Sequence, residues 1–157
     1  MLFLLPVCIF VADRLTKIWA KQSLALQPGG IIPWPGMLRL VYVENTGMAF
    51  GVLSGQRWLL VTLSLAAVVI VAVTLRPYKL GRWAELSLLC IIGGMAGNLL
   101  DRVLFGYVVD MFDLLFIRFA IFNVADIFIS LGAVMLCISL LFRPGDWKKK
   151  EEKPLLP

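Results

Sequence analysis

The sequence predicts an all-α membrane protein: four transmembrane helices, a small extracytoplasmic β-rich segment and a second extracytoplasmic loop. Three observations carry that prediction. The 157 residues are 61% hydrophobic, with a mean hydropathy of +0.91, where a soluble domain is nearer half apolar. Four apolar runs each approach the 17–25 residues a helix needs to span a bilayer. The basic residues cluster instead of spreading, in Arg76–Lys79–Arg82 and in Lys148–Lys149–Lys150–Lys153.

The first span is read at roughly 2–20. It has no basic n-region, is interrupted by Asp13, Arg14 and Lys17, and has no clear small-x-small site at its end, so it reads as a retained helix and not a secretory signal. Residues 21–57 are too rich in Pro and Gly to span. Met37–Leu38–Arg39–Leu40–Val41–Tyr42–Val43 within them reads as a short strand. The second span is read at 58–75, the third at 85–105 and the fourth at 123–142. Trp19, Trp58 and Trp83 fall near the ends of these runs, as interfacial anchors do. Residues 106–122 are apolar but broken by Asp110, Asp113 and Arg118, which suits an interfacial or re-entrant element.

With four helices, the basic loop 76–82 and the basic tail fall on one side of the membrane. The positive-inside rule then makes both termini cytoplasmic and places 21–57 and 106–122 outside. A single domain covers 1–157, ending in a charged tail, 143–157, whose stretch 146–157 is expected to be solvated or in contact with headgroups. The net charge of +5 reads as this topology signal and not as a nucleic-acid surface.

The chain has no histidine. Cys8, Cys90 and Cys137 all lie in apolar runs, with no CxxC pair, so neither a disulfide framework nor a metal site is predicted. No cofactor is expected. The remaining chemistry rests on carboxylates, amides, Lys and Arg. Carboxylates near hydrocarbon are costly and usually functional. At about 1.5 Å per helical residue, Asp13 lies roughly 18 Å along the first span and Asp101 roughly 24 Å along the third. Asp126 opens the fourth span and Asp110 lies in the outer connection. In a core about 30 Å thick, these residues converge on one level near the outer surface.

Asp13 and Lys17 share a helix face at i, i+4 and read as a structural ion pair. Gly93, Gly94, Ala96 and Gly97 form a small-residue patch suited to close helix packing. Asp101 beside Arg102 reads as a fixed charged strut. Asn45, in Glu44–Asn45–Thr46–Gly47, suits a turn after a strand. Asp110 and Asp126 have no base adjacent in sequence. Two carboxylates at low dielectric share a proton, so one serves as general base on water while the other polarises a carbonyl. A transporter or channel subunit could use the same groups as an ion or proton relay, and spacing alone leaves that alternative open.

Together these motifs resemble the lipoprotein signal peptidase (signal peptidase II) family. The boxes occur in family order: Asp13–Arg14–Leu15–Thr16–Lys17; Asn45–Thr46–Gly47–Met48–Ala49–Phe50–Gly51; Gly93 through Asn98–Leu99–Leu100–Asp101–Arg102; Val108–Val109–Asp110–Met111; and Phe122–Asn123–Val124–Ala125–Asp126. The resemblance implies an integral-membrane aspartic endopeptidase of the bacterial cytoplasmic (inner) membrane, with its active site near the outer leaflet; a monomer is expected. It implies cleavage of diacylglyceryl-modified prolipoproteins just before the lipidated cysteine. By the same resemblance Asp110 and Asp126 are the catalytic pair. Asp13, Lys17, Asn45, Gly47, Asn98, Asp101, Arg102, Asn123 and Ala125 are supporting or substrate-contacting residues. The implied partners are prolipoproteins and membrane lipid.

Overall fold

Four helices form the body of the structure, a computed structural model that describes residues 2–150. They are α1 (Leu4–Ser23), α2 (Arg57–Leu75), α3 (Arg82–Leu104) and α4 (Val124–Phe142). By length and composition α2, α3 and α4 are apolar enough to cross a membrane. α1 differs because it carries Asp13, Arg14, Lys17 and Lys21. Asp13 and Lys17 are fully buried in the bundle while Leu4, Leu15 and Ile18 are exposed. The outward surface is apolar and the inward one charged, the reverse of a water-soluble helix.

α3 is the central helix and packs against the other three. Its glycines make this possible. A Cβ at Gly93 would lie 2.9 Å from Pro6 Cα of α1, and one at Gly94 would lie 2.5 Å from the Ala125 carbonyl oxygen of α4. The small-residue patch is therefore the seam along which three helices meet. Gly94→Ala should cost about 1–3 kcal/mol by overpacking, because the obstacle is backbone and cannot rotate away. The check is thermal unfolding in detergent, where an unchanged midpoint would contradict so tight a seam.

Among the described residues, five strands decorate the helix ends. β1 (Ile31–Trp34), β2 (Leu38–Asn45) and β4 (Val108–Leu114) form one antiparallel sheet in the order β1-β2-β4. The segment 106–122, expected as an interfacial or re-entrant element, instead supplies β4 and closes this sheet. Period-2 alternation explains it. Val109 and Met111 point one way, onto Ala20 and Leu24 at the end of α1. Val108 and Asp110 point the other way, into a cavity. Across the sheet Arg39 stands opposite Asp113 and donates to it from Nε at 2.9 Å and Nη2 at 2.6 Å. That pair marks the register. A bulge between Leu40 and Val43 adjusts it before Val43 meets Asp110 and Asn45 meets Val108.

At the opposite helix ends, β3 (Tyr78–Leu80) pairs antiparallel with β5 (Trp147–Lys149). The first part of the tail is thus structured, contrary to the expectation of a solvated 146–157; residues 151–157 lie outside the described residues. Burial of Asp146 accounts for the difference. Its carboxylate accepts from Ser139 Oγ and Arg143 Nε, and its carbonyl accepts from Gly81 N, which fastens the tail to the 76–82 loop. Trp83 also departs from a simple interfacial anchor, since its indole donates to the Met135 carbonyl on α4.

Candidate active site

The site is assembled from four pieces of chain, the start of α4, β4, the end of β2 and the end of α3, held at one end of the bundle. Asn123 is the N-cap of α4, and Asp126 is its N3 residue. Together they form a capping box: Asn123 Oδ1 accepts from Asp126 N at 3.0 Å, and Asp126 Oδ2 accepts from Asn123 N at 3.1 Å. The Asn-x-x-Asp spacing thus does local work, satisfying two helix-end donors. It also fixes both side chains. With its oxygen engaged in the cap, Asn123 must turn its Nδ2 outward, and that nitrogen donates to Asp110 Oδ1 at 2.6 Å. One amide therefore ties the two carboxylate positions together.

β2 contributes the third piece. Asn45 ends the strand, and its Oδ1 accepts from Gly47 N in a tight turn, at 2.9 Å. Its Nδ2 then donates to Asp110 Oδ2 at 2.8 Å. The turn expected from sequence is present, and it orients the amide toward the carboxylate. Arg102 Nη2 donates to the Gly47 carbonyl at 3.0 Å, holding the same turn against the end of α3.

Asp110 is 3% exposed and Asn123 wholly buried, whereas Asp126 is half-buried. Burial pushes the Asp110 carboxyl up to about 6. The Asn45 and Asn123 amides oppose that rise, the nearby Asp126 charge adds to it, and Lys17 opposes it. A carboxyl in this condition retains a proton far more readily than an exposed one.

Behind the carboxylates lies a buried charged cluster. Lys17 Nζ reaches three acceptors at 2.8 Å each: Asp13 Oδ2, Asp101 Oδ2 and Asn98 Oδ1. An ammonium has three donors, so all are used. Asn98, with its oxygen held, directs Nδ2 to Asp126 Oδ1 at 2.7 Å. Asp13 Oδ1 in turn accepts from the Ala125 backbone N–H at 3.0 Å. Helices α1 and α3 thereby grip the first turn of α4 on both sides of Asp126. The partner of Asp101 differs from the one expected. Arg14 Nη2 lies 2.6 Å from Asp101 Oδ1, while Arg102 reaches the Gly47 turn. Adjacent residues on a helix point about 100° apart, so Asp101 faces α1 and Arg102 faces the cavity.

That cavity has a volume of about 480 Å³, and Asp110, Asp126, Asn45, Asn98, Arg102 and Asn123 all line it. Asp13, Lys17 and Asp101 stand behind it, and Gly47 and Ala125 contribute backbone groups. All eleven residues singled out from sequence therefore gather at one place. A match to a family model described as "Signal peptidase (SPase) II" extends over residues 5–142.

The chain belongs to the signal peptidase II family. It is 38% identical over 154 residues to the lipoprotein signal peptidase of Streptococcus pyogenes serotype M5 (strain Manfredo), covering 96% of this chain and 95% of the relative. The lipoprotein signal peptidase of serotype M1 matches at the same identity and coverage. A bacterial membrane enzyme structure solved by the in meso method at 2.3 Å resolution superposes with a TM-score of 0.76 at 28% identity, covering 97% of this chain and 94% of that one. A second, at 1.9 Å resolution, gives 0.71 at 27% identity, with 90% and 93% covered.

Membership of signal peptidase II makes the chain a membrane aspartic peptidase and disfavours the transporter alternative. Sequence reasoning missed Arg14, which completes the charged cluster, and Ser130, which lines the cavity. Both had a signal. Ser130 lies four residues after Asp126, on the same helix face. Arg14 stands directly beside Asp13 in the charged stretch that follows the apolar first half of α1.

Proposed function

We propose that Asp110 and Asp126 are the catalytic pair, and that the chain cleaves the signal peptide of diacylglyceryl-modified prolipoproteins just before the lipidated cysteine. One observation supports this most: both carboxylates border the same cavity and both are bound by Asn123. In this reading Asp110 holds the shared proton, consistent with its raised value near 6, and Asp126 takes a proton from water. The water oxygen attacks the scissile carbonyl, whose oxygen is polarised by the Asp110 proton. Collapse of the tetrahedral intermediate returns a proton to the leaving amine. Asn45, Asn98 and Asn123 hold the carboxylates, and Arg102 presents its guanidinium to the substrate backbone.

The same proposal has all four helices spanning the membrane as a monomer, with both ends cytoplasmic and the cavity at the outer leaflet. The clustering of Arg76, Lys79 and Lys148–Lys150 at the opposite end supports that orientation. Phe50, Val52 and Leu53 are exposed and follow directly on Met48 and Ala49, which line the cavity; in this reading they meet acyl chains. Each buried methylene contributes about 0.8 kcal/mol.

The test is cleavage by the purified protein in detergent of one lipobox peptide, with and without its diacylglyceryl group. EDTA is present throughout and no ion gradient is applied. The lipidated peptide should be cut, faster by several orders of magnitude. Equal rates would remove the acyl-binding role of the Phe50–Leu53 segment. No cutting of either peptide would overturn the proposed cleavage of lipidated prolipoproteins.

A further inference from the structure

The end of the bundle opposite the cavity carries a structured feature that cleavage does not use. In the β3–β5 pair, Tyr78 is opposite Lys149, Lys79 opposite Lys148, and Leu80 opposite Trp147. Directly opposed residues share a face of the sheet, and successive residues alternate between faces. One face carries the aromatic contact of Tyr78 with Trp147, an edge-to-face pair with centroids 6.3 Å apart. Trp147 Nε1 donates to Ser139 Oγ, so that face is turned to the bundle. The other face carries Lys79 and Lys148, both exposed.

Like charges directly opposed in a sheet are destabilising, yet this pairing is fastened from several sides. Gly81 N donates to the Asp146 carbonyl and Lys150 N to the Pro77 carbonyl. Lys150 Nζ donates to the Arg76 carbonyl. Among the described residues no acidic side chain forms an ion pair with Lys79 or Lys148. The acidic residue closest in sequence to β5, Asp146, is buried and engaged with Ser139 and Arg143. Two exposed lysines thus stand directly opposite one another on the same face of the strand pair. β3 begins three residues after α2 ends, and β5 five residues after α4 ends. That places the pair at the depth of lipid headgroups, which extend about 5–7 Å beyond the hydrocarbon core.

We propose that Lys79 and Lys148 form a binding site for the phosphate of an anionic phospholipid. The bound headgroup cancels the repulsion between the two ammoniums, and so clamps the α2–α3 connection to the segment after α4. The inference rests on the membrane-spanning arrangement proposed above, but not on the identity of the catalytic pair.

The experiment titrates phosphatidylglycerol into the full-length protein in neutral detergent and follows the thermal unfolding midpoint. Phosphatidylcholine and inorganic phosphate serve as parallel titrants. The midpoint should rise with phosphatidylglycerol, stay flat with phosphatidylcholine, and respond less as salt is added. A basic residue near an anionic surface strengthens binding about fivefold, so Lys79→Gln with Lys148→Gln should weaken it roughly thirtyfold. Lys79→Arg with Lys148→Arg should retain it, as should Lys21→Gln at the other end of the bundle. If the double glutamine variant does not fold, each single variant should show its own loss of about fivefold. Cleavage of the lipidated peptide in lipid-free detergent should be unchanged, which separates this site from the catalytic proposal. Wild-type affinity in the glutamine variants, or equal responses to the two lipids, would overturn the site. An equal response to inorganic phosphate would overturn its assignment to lipid.

Discussion

Asp110→Asn and Asp126→Asn should each lower cleavage by about 10²–10⁴-fold while leaving the protein folded. The two substitutions separate in stability. Asp110 is 3% exposed and its carboxyl is pushed up to about 6 from an ordinary value of 3.8. Between those values the folded protein holds a proton that the unfolded chain releases. Stability contributed by this group is therefore present at low pH and is lost as pH rises through about 6. The gap amounts to a cost of roughly 3 kcal/mol above that point, as an order of magnitude. An amide at position 110 removes this cost but meets the Asn45 and Asn123 donors with one acceptor fewer, a loss of about 1 kcal/mol. At pH 7 the Asp110→Asn protein should therefore unfold at or above the wild-type midpoint, and the difference should shrink toward pH 4. The measurements are single-turnover cleavage of a lipidated peptide and unfolding midpoints across that pH range. Near-normal turnover in either variant would remove that residue from the catalytic pair.

Much of this fold is legible in the sequence because the bilayer restricts the options. Apolar runs of spanning length can only be helices, and α2, α3 and α4 begin and end within a few residues of the expected positions. β2 was legible from Leu38–Val43. β4 was not. Val108–Val109–Asp110–Met111 is only a short alternation, and its inward-facing Asp110 looks like a break unless the cavity is known. β5 was hidden for a different reason. Lys148–Lys149–Lys150 has the composition of a solvated tail, and tertiary contacts hold it in a strand: the buried Asp146, the Trp147 indole on Ser139, and Lys150 on the Arg76 and Pro77 carbonyls.

The site was legible as a set but not as a circuit. Residue types and depth grouped the carboxylates and amides on one level. They could not tell which donor meets which acceptor. Asp101 next to Arg102 suggests a pair, yet helix geometry sends Asp101 to Lys17 and Arg14 and sends Arg102 to the Gly47 turn. The asparagines show the same limit. Asn45, Asn98 and Asn123 each accept with the side-chain oxygen and donate from the nitrogen to a carboxylate. Amides suit this task because one end can be locked by structure while the other addresses the chemistry.

That division leads to the largest expected effect on folding. Lys17→Met should destabilise the protein by about 3–5 kcal/mol, the usual cost of removing one partner from a buried ion pair. Lys17 is 2% exposed, Asp13 and Asp101 are both fully buried, and its ammonium is shared among both carboxylates and Asn98. Arg14 would still reach Asp101, so the stranded charge would be that of Asp13, whose remaining support is the Ala125 N–H. Asp13→Asn combined with Lys17→Met should recover part of the loss, because it removes that charge. Activity should not recover with stability. Without Lys17, Asn98 Oδ1 has lost the donor that fixes its amide, so the hydrogen bond to Asp126 Oδ1 is no longer enforced. The double variant should therefore unfold closer to the wild-type midpoint than Lys17→Met does, yet cleave more slowly than the wild type at equal folded concentration. Full recovery of cleavage along with stability would mean that the cluster only holds helices together and does not position Asp126.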